Sequence, residues 1–259
     1  MTRHALCLAT FLLSTLLLPT RANAQATSSS TPVRDGHIGM VNNVFINDGD
    51  QTAKWFKYVP HAGRSYCAEV GSGADTSGAV EAVSADPVVE IFASDGTTSL
   101  ADNYDAAMEP ESILGARACF IAPSTPTFYV KVTDFASGTF IYRMRVVETT
   151  LWASWFFIGG DYNSFVLLRN TTNSPVNYTI TWRNPAGTVI GTRSGTVAGN
   201  AALGINARSH ISNPAVNFNG TVEIGHDGSP QALVGQVTSL SASTGLGYDS
   251  TLFQRQTVW

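Results

Sequence analysis

Thr127-Phe128-Tyr129-Val130-Lys131-Val132-Thr133, the loop 134–139 and Phe140-Ile141-Tyr142-Arg143-Met144-Arg145-Val146 form the stretch that decides the class of this chain. In its first arm Phe128, Val130 and Val132 alternate with Tyr129, Lys131 and Thr133. In its second arm Phe140, Tyr142, Met144 and Val146 alternate with Ile141, Arg143 and Arg145. A period of two sends successive side chains to opposite faces of a pleated strand. A helix would put residues two apart on opposite sides, so it could not bury the first set together. Two such arms joined by a short loop containing Gly138 read as an antiparallel hairpin with one buried and one wet face.

The same period recurs outward from this stretch. Strands are expected at 44–46, 55–60, 65–70, 88–93 and 116–122, besides 128–133 and 140–146. Asn47-Asp48-Gly49-Asp50, Ser94-Asp95-Gly96 and Ser137-Gly138 supply turn residues between them. Together these make a first domain, 41–148. The polar joint Glu148-Thr149-Thr150 then leads to a second, 151–259. There 152–158 and 164–169 are apolar on both faces, as central strands are. Val176, Tyr178, Ile180 and Trp182 alternate strictly with polar residues, and Asn184-Pro185-Ala186-Gly187 has the residues of a type I turn. Further strands at 188–197, 201–207, 220–225, 232–240 and 248–254 give the count of an immunoglobulin-like sandwich. The expected fold class is all-β, two consecutive antiparallel β-sandwiches, jelly-roll-like and then immunoglobulin-like.

Residues 1–24 read as a signal peptide. Arg3 precedes the apolar run 5–18, and Ala22-Asn23-Ala24 has the small-x-small form of a cleavage site. The run is short for a bilayer, and no later apolar run reaches about 20 residues, so no membrane span is expected. Residues 25–40, rich in Thr, Ser and Pro without a period, are expected to form a flexible leader. Loss of Arg3 and Arg21 takes Lys+Arg from 15 to 13 against 19 Asp+Glu, a net charge near −6. That acidity, with no basic cluster, excludes nucleic acid as a partner. The expected location is secreted, periplasmic or extracellular.

The order Asp50, Trp55-Phe56-Lys57-Tyr58, Ala62-Gly63, Tyr66-Cys67-Ala68-Glu69-Val70, Asp86-Pro87-Val88-Val89-Glu90-Ile91-Phe92, Gly96, Leu100-Ala101-Asp102-Asn103 and Phe128-Tyr129-Val130-Lys131-Val132 resembles the bacterial pre-peptidase C-terminal domain. The resemblance covers about two-fifths of the chain. It implies a jelly-roll-like sandwich carried as a non-catalytic accessory beside secreted proteases and other exported proteins. Two features depart from the family: the acidic pair after Leu100-Ala101 is spread as Asp102-Asn103-Tyr104-Asp105, and the insert 71–84 is long. Trp155-Phe156-Phe157-Ile158-Gly159-Gly160, Phe165-Val166-Leu167-Leu168-Arg169-Asn170 and the run 176–187 are loosely similar to immunoglobulin-like repeat domains of bacterial surface and secreted proteins. Those domains have no general activity to carry over.

No catalytic residues are assigned. The chain has no Gly-x-Ser-x-Gly elbow and no His-Glu-x-x-His, and His37, His61, His210 and His226 read as solvated loop histidines. Cys67 and Cys119 are the cysteines left after the signal peptide, and an exported chain meets oxidising conditions. They are expected to bond to each other, across neighbouring strands or across the core, with two buried thiols as the alternative. Asp48, Asp50, Asp102 and Asp105 are either turn residues or oxygen ligands for calcium, the one cofactor considered. Trp152, Trp155, Phe156 and Phe157 are expected in a sandwich core, with an exposed platform for sugar or peptide as the alternative. These readings point to an exported, non-catalytic binding or accessory protein with an extracellular protein or glycan as partner. The alternatives are a structural spacer and a hydrolase of unrecognised site.

Overall fold

The computed structural model describes residues 34–46, 53–75, 86–103, 106–108, 112–134, 140–212 and 217–255. Among these, helical structure is confined to the 3-10 turn Ala207–Ser209. The rest is strand and turn, so the all-β reading holds.

In chain order the first half contains β1 (Arg34–Asp35), β2 (Val41–Ile46), β3 (Lys54–Tyr58), β4 (Ser65–Asp75), β5 (Pro87–Phe92), β6 (Ser99–Asn103), β7 (Ala106–Met108), β8 (Ser112–Ile121), β9 (Phe128–Asp134) and β10 (Phe140–Glu148). Among the described residues one sheet runs β1-β3-β9-β5-β6 and the facing sheet β2-β10-β4-β8-β7. Phe56, Tyr66, Phe128, Val130, Val132, Met144 and Val146 fill the space between them. The alternation read from the sequence is therefore the alternation of burial: Phe128, Val130 and Val132 point inward, with Met144 and Val146.

The expected hairpin is not there. β9 pairs with β3 and β5, whereas β10 pairs with β2 and β4 in the opposite sheet. A period of two fixes which side of a strand is buried, not which strand lies beside it. Two strands facing each other across a core satisfy the same pattern as two strands side by side.

The leader also needs correction over its last residues. Arg34–Asp35 pairs in parallel with Phe56–Lys57, Gly39 N donates to Val146 O at 2.6 Å, and Ile38 packs on the core. Residues 34–40 thus belong to the first sandwich; residues 1–33 lie outside the described residues. β4 runs to Asp75, taking up the start of the insert, and β6 and β7 were not anticipated.

The second half contains β11 (Leu151–Ile158), β12 (Tyr162–Asn170), β13 (Val176–Arg183), β14 (Val189–Val197), β15 (Ala202–Asn206), β16 (Phe218–His226), β17 (Leu233–Ser241), β18 (Gly247–Thr251) and β19 (Phe253–Gln254). Its sheets run β14-β13-β16-β11-β19 and β15-β12-β17-β18 around a core that includes Phe156, Ile158, Tyr178, Trp182 and Ile224. The single strand expected over 248–254 is split. β18 joins one sheet and β19 the other, and Leu252 between them is buried. β12 is not buried on both faces, since Val166 and Leu168 are enclosed while Leu167 is exposed.

The joint between the halves is polar, as read, but enclosed. Thr149 and Thr150 have no exposed surface. Thr149 N donates to Ser65 O at 2.8 Å, and Ser65 N donates to Thr150 Oγ1 at 3.0 Å. Arg64 lies within ion-pair reach of Glu148 (3.5 Å) and Glu223 (3.6 Å), and Arg183 reaches Glu223 at 3.0 Å. The Arg64 guanidinium also sits 4.6 Å from the Trp152 ring centroid. Gly225 is glycine for a reason of space: a Cβ there would collide with the Gly63 carbonyl oxygen.

Candidate functional site

The N-terminal end of β11 is paired on both sides, with β16 and, at Leu151 and Trp152, with β19. A register shift between Ala153 and Phe156 then bends the strand. Beyond it Phe157 finds partners in the other sheet. Its N–H points at Ser164 Oγ (3.1 Å) and Ser239 Oγ (3.2 Å), and Ser164 Oγ donates to Phe157 O at 2.7 Å. Phe156 and Ile158 stay in the core, while Trp155 is 40% exposed and Phe157 half-buried.

The turn after β11 closes with a bridge between Gly159 and Tyr162, and Gly160 takes a left-handed φ of 56° that favours glycine. It delivers Tyr162 beside Phe157, with ring centroids 5.8 Å apart and planes at 63°. Tyr248 arrives from β18, 55% exposed. Its ring lies 6.1 Å from Tyr162 and 6.0 Å from Trp155, edge-on to the indole at 90°. Trp155 and Phe157 complete the circuit at 6.0 Å with planes within 4°. Four rings from three strands thus form one continuous surface, two nearly parallel rings meeting two others at a steep angle. Leu246, 61% exposed, stands in the turn before Tyr248.

Polar groups rim this platform. Asp161 accepts from Ser241 Oγ at 2.5 Å, from Ser243 N at 3.2 Å and from Ser243 Oγ. The Ser241 and Ser243 hydrogen bonds hold its carboxyl down at about 2. Burial, followed by the neighbouring Tyr248, raises the Tyr162 phenol above its ordinary value. Ser154 Oγ and Ser250 Oγ lie 3.4 Å apart on the side of Trp155. Flat apolar faces next to hydroxyls and a carboxylate suit a ligand with one apolar face and polar edges.

The residues singled out in the sequence divide among several places. Of the four aromatics, Phe156 is core, Trp152 lies under Arg64, and Trp155 and Phe157 are on the platform. Tyr162 and Tyr248 were missed, because no local spacing links them to Trp155. Cys67 and Cys119 are directly opposed in β4 and β8 and are bonded, with S–S 2.03 Å. Cys67 Sγ lies 3.9 Å from the Gly228 carbonyl of the second half, so the bond is on the face of its sheet away from the first core.

Asp102 is exposed on β6 and lines a cleft of about 330 Å³ with Asn103, Arg117, Cys119, Asp227 and Ser229. Asp48, Asp50 and Asp105 lie outside the described residues. Among the described residues no group of three or more His, Cys, Asp or Glu is placed to hold a metal.

His226 is not the solvated loop residue expected. It ends β16 with no exposed surface, and burial lowers its pKa to about 4. His210 stacks on Trp182 at 5.9 Å, and its Nε2 lies 2.7 Å from Arg193 Nη1. Burial and then that guanidinium lower its pKa. Among the described residues no helix is long and apolar enough to cross a membrane.

No family model and no curated protein matches the chain. Among solved structures it is similar to β-glucuronidase 2 of Bacteroides uniformis bound covalently to cyclophellitol-6-carboxylate aziridine, with 9% identity and a TM-score of 0.22 over 78% of this chain and 25% of that one. It is also similar to a β-glucuronidase from glycoside hydrolase family 2, with 10% identity and a TM-score of 0.18 over 88% and 25%. The chain spans about a quarter of the length of those chains. Nothing about its ligand or chemistry follows from likenesses at that level.

Proposed function

We propose that this is an exported, non-catalytic binding protein that takes carbohydrate on the platform formed by Trp155, Phe157, Tyr162 and Tyr248. The observation that carries the reading is that these rings form one outward surface outside the core, with Trp155 and Tyr248 exposed and Phe157 and Tyr162 half-buried. A sugar ring has an axial C–H face that packs on an aromatic face and equatorial hydroxyls that reach the polar rim. The bonded cysteines and the apolar N-terminal run support export. The first sandwich fits the accessory role that the pre-peptidase C-terminal resemblance implies. A second reading, a rigid spacer, is favoured by the enclosed joint.

The test is affinity electrophoresis of the chain freed of 1–24 in gels containing xylan or barley β-glucan, with calorimetry on cellohexaose and chitohexaose. At least one probe should bind, and Trp155→Ala or Tyr248→Ala should weaken it about tenfold or more. Absence of binding to every probe, or binding that Trp155→Ala leaves intact, would remove the platform from consideration.

A further inference from the structure

The rings of the platform stand on strands that flank two separate turns, β11–β12 and β17–β18, and one side chain joins those turns. Asp161 sits in the β11–β12 turn, between Phe157 and Tyr162. Its carboxylate oxygen Oδ2 accepts from Ser241 Oγ, Ser243 N and Ser243 Oγ of the β17–β18 turn, the segment that leads to Tyr248. Its carbonyl accepts from Ala242 N at 3.1 Å. Ser241 Oγ, held in this way, accepts in turn from Thr244 N (3.2 Å) and Thr244 Oγ1 (2.8 Å), and Ser241 N donates to Leu246 O at 2.9 Å.

The shape of the second turn is therefore set from the first, 80 residues away in the chain. The Ser241 and Ser243 hydrogen bonds lower the pKa of this carboxyl to about 2. The first half contains the local counterpart. Asp95 accepts from Thr97 N, Thr98 N and Thr98 Oγ1 within its own turn, and its pKa is likewise about 2. The chemistry is the same, but of these two carboxylates it is Asp161 that joins two turns flanked by surface rings.

Resting on the platform reading, we propose that Asp161 is a positioning residue for the carbohydrate site: it fixes Tyr248 against Trp155 and Tyr162 without itself forming the stacking surface. Three variants test it, with ring-to-ring nuclear Overhauser contacts and affinity for the best-binding probe among xylan, β-glucan, cellohexaose and chitohexaose as readouts. Asp161→Ala should lose the Tyr248–Trp155 and Tyr248–Tyr162 contacts and bind about tenfold more weakly. Asp161→Asn keeps an acceptor oxygen of the same shape and should restore the ring contacts and bring affinity within about threefold of the native chain. Asp95→Asn should change neither readout.

Native ring contacts and native affinity in Asp161→Ala would overturn the proposal. So would an Asp161→Asn variant as impaired as Asp161→Ala. Should no probe bind even the native chain, the function reading fails, while the ring contacts of the three variants still decide the role of Asp161.

Discussion

In the first sandwich Tyr58, Tyr66, Phe120 and Phe128 pack against one another between the sheets, each 3% exposed or less. In the second, Trp155, Phe157, Tyr162 and Tyr248 gather at a similar spacing on the outside. The first sandwich does have outward rings as well. Trp55 lies 5.1 Å from Phe92 and 6.4 Å from Tyr129. There, however, Lys131 pairs with Glu90 and places its ammonium 5.9 Å from the Phe92 centroid, and Trp55 is left only 9% exposed. Aromatic content therefore does not separate a core from a site; what covers the rings does. Rings enclosed by sheets or capped by an ion pair contribute stability, and rings left open are available to a ligand.

The largest effect that tests this contrast is a pair of truncations. Phe128→Ala should cost about 3–5 kcal/mol in urea unfolding, the usual penalty for emptying a ring from a close-packed core. Trp155→Ala should cost about 1 kcal/mol or less, because most of what it removes faces solvent. Equal costs would mean that the platform is part of the second core.

The disulfide sharpens the contrast next. Closing 52 positions, it is worth about 4 kcal/mol to the first sandwich in the chain-entropy model. Cys67→Ala with Cys119→Ala should lower the first unfolding transition accordingly. It should also change hydrogen exchange at Gly228, since Cys67 Sγ rests against that carbonyl. Exchange around Gly228 equal to that of the native chain would show that the contact carries no coupling between the halves.

His226 gives a pH-dependent version of the test. Its pKa is about 6.5 unfolded and about 4 folded, lowered by burial, with the Thr149 and Gly228 backbone and Asp227 beside it. Between those values the unfolded chain binds more protons, so stability falls as pH drops from about 6.5 to about 4. The total loss is about 3 kcal/mol, complete below the folded pKa. His226→Gln should flatten that slope in denaturant titrations at stepped pH. An unchanged slope would assign the acid sensitivity to other groups.

The smallest expected effect concerns the capped rings. Replacing both Lys131 and Glu90 by Ala should cost less than about 1 kcal/mol, as for other partly exposed pairs. It should expose Trp55 and Phe92 to fluorescence quenchers such as acrylamide. Quenching no greater than in the native chain would show that the pair is not the cover.

The sequence by itself determined much of the scaffold. Alternation at Phe128, Val130, Val132, Met144 and Val146 marked buried faces correctly, because a strand's two faces are written into its period of two. The bond between Cys67 and Cys119 was the first reading of the two cysteines that follow the N-terminal apolar run, with two buried thiols as the alternative, and the structure shows it formed.

Only the tertiary structure decided which strands were neighbours. It sent β9 and β10 to opposite sheets although their sequence reads equally well as a hairpin. It also enclosed His226, beside which it placed Thr149 from the joint between the halves. Most of the candidate site was illegible for the same reason. Trp155 and Phe157 stood out as a local cluster, but Tyr248 and Asp161 acquire their roles only when β18 and its preceding turn fold back against β11 and β12. Local periodicity records which side of a strand faces inward. Which segment lies against an outward ring is a long-range contact, and no spacing in the chain encodes it.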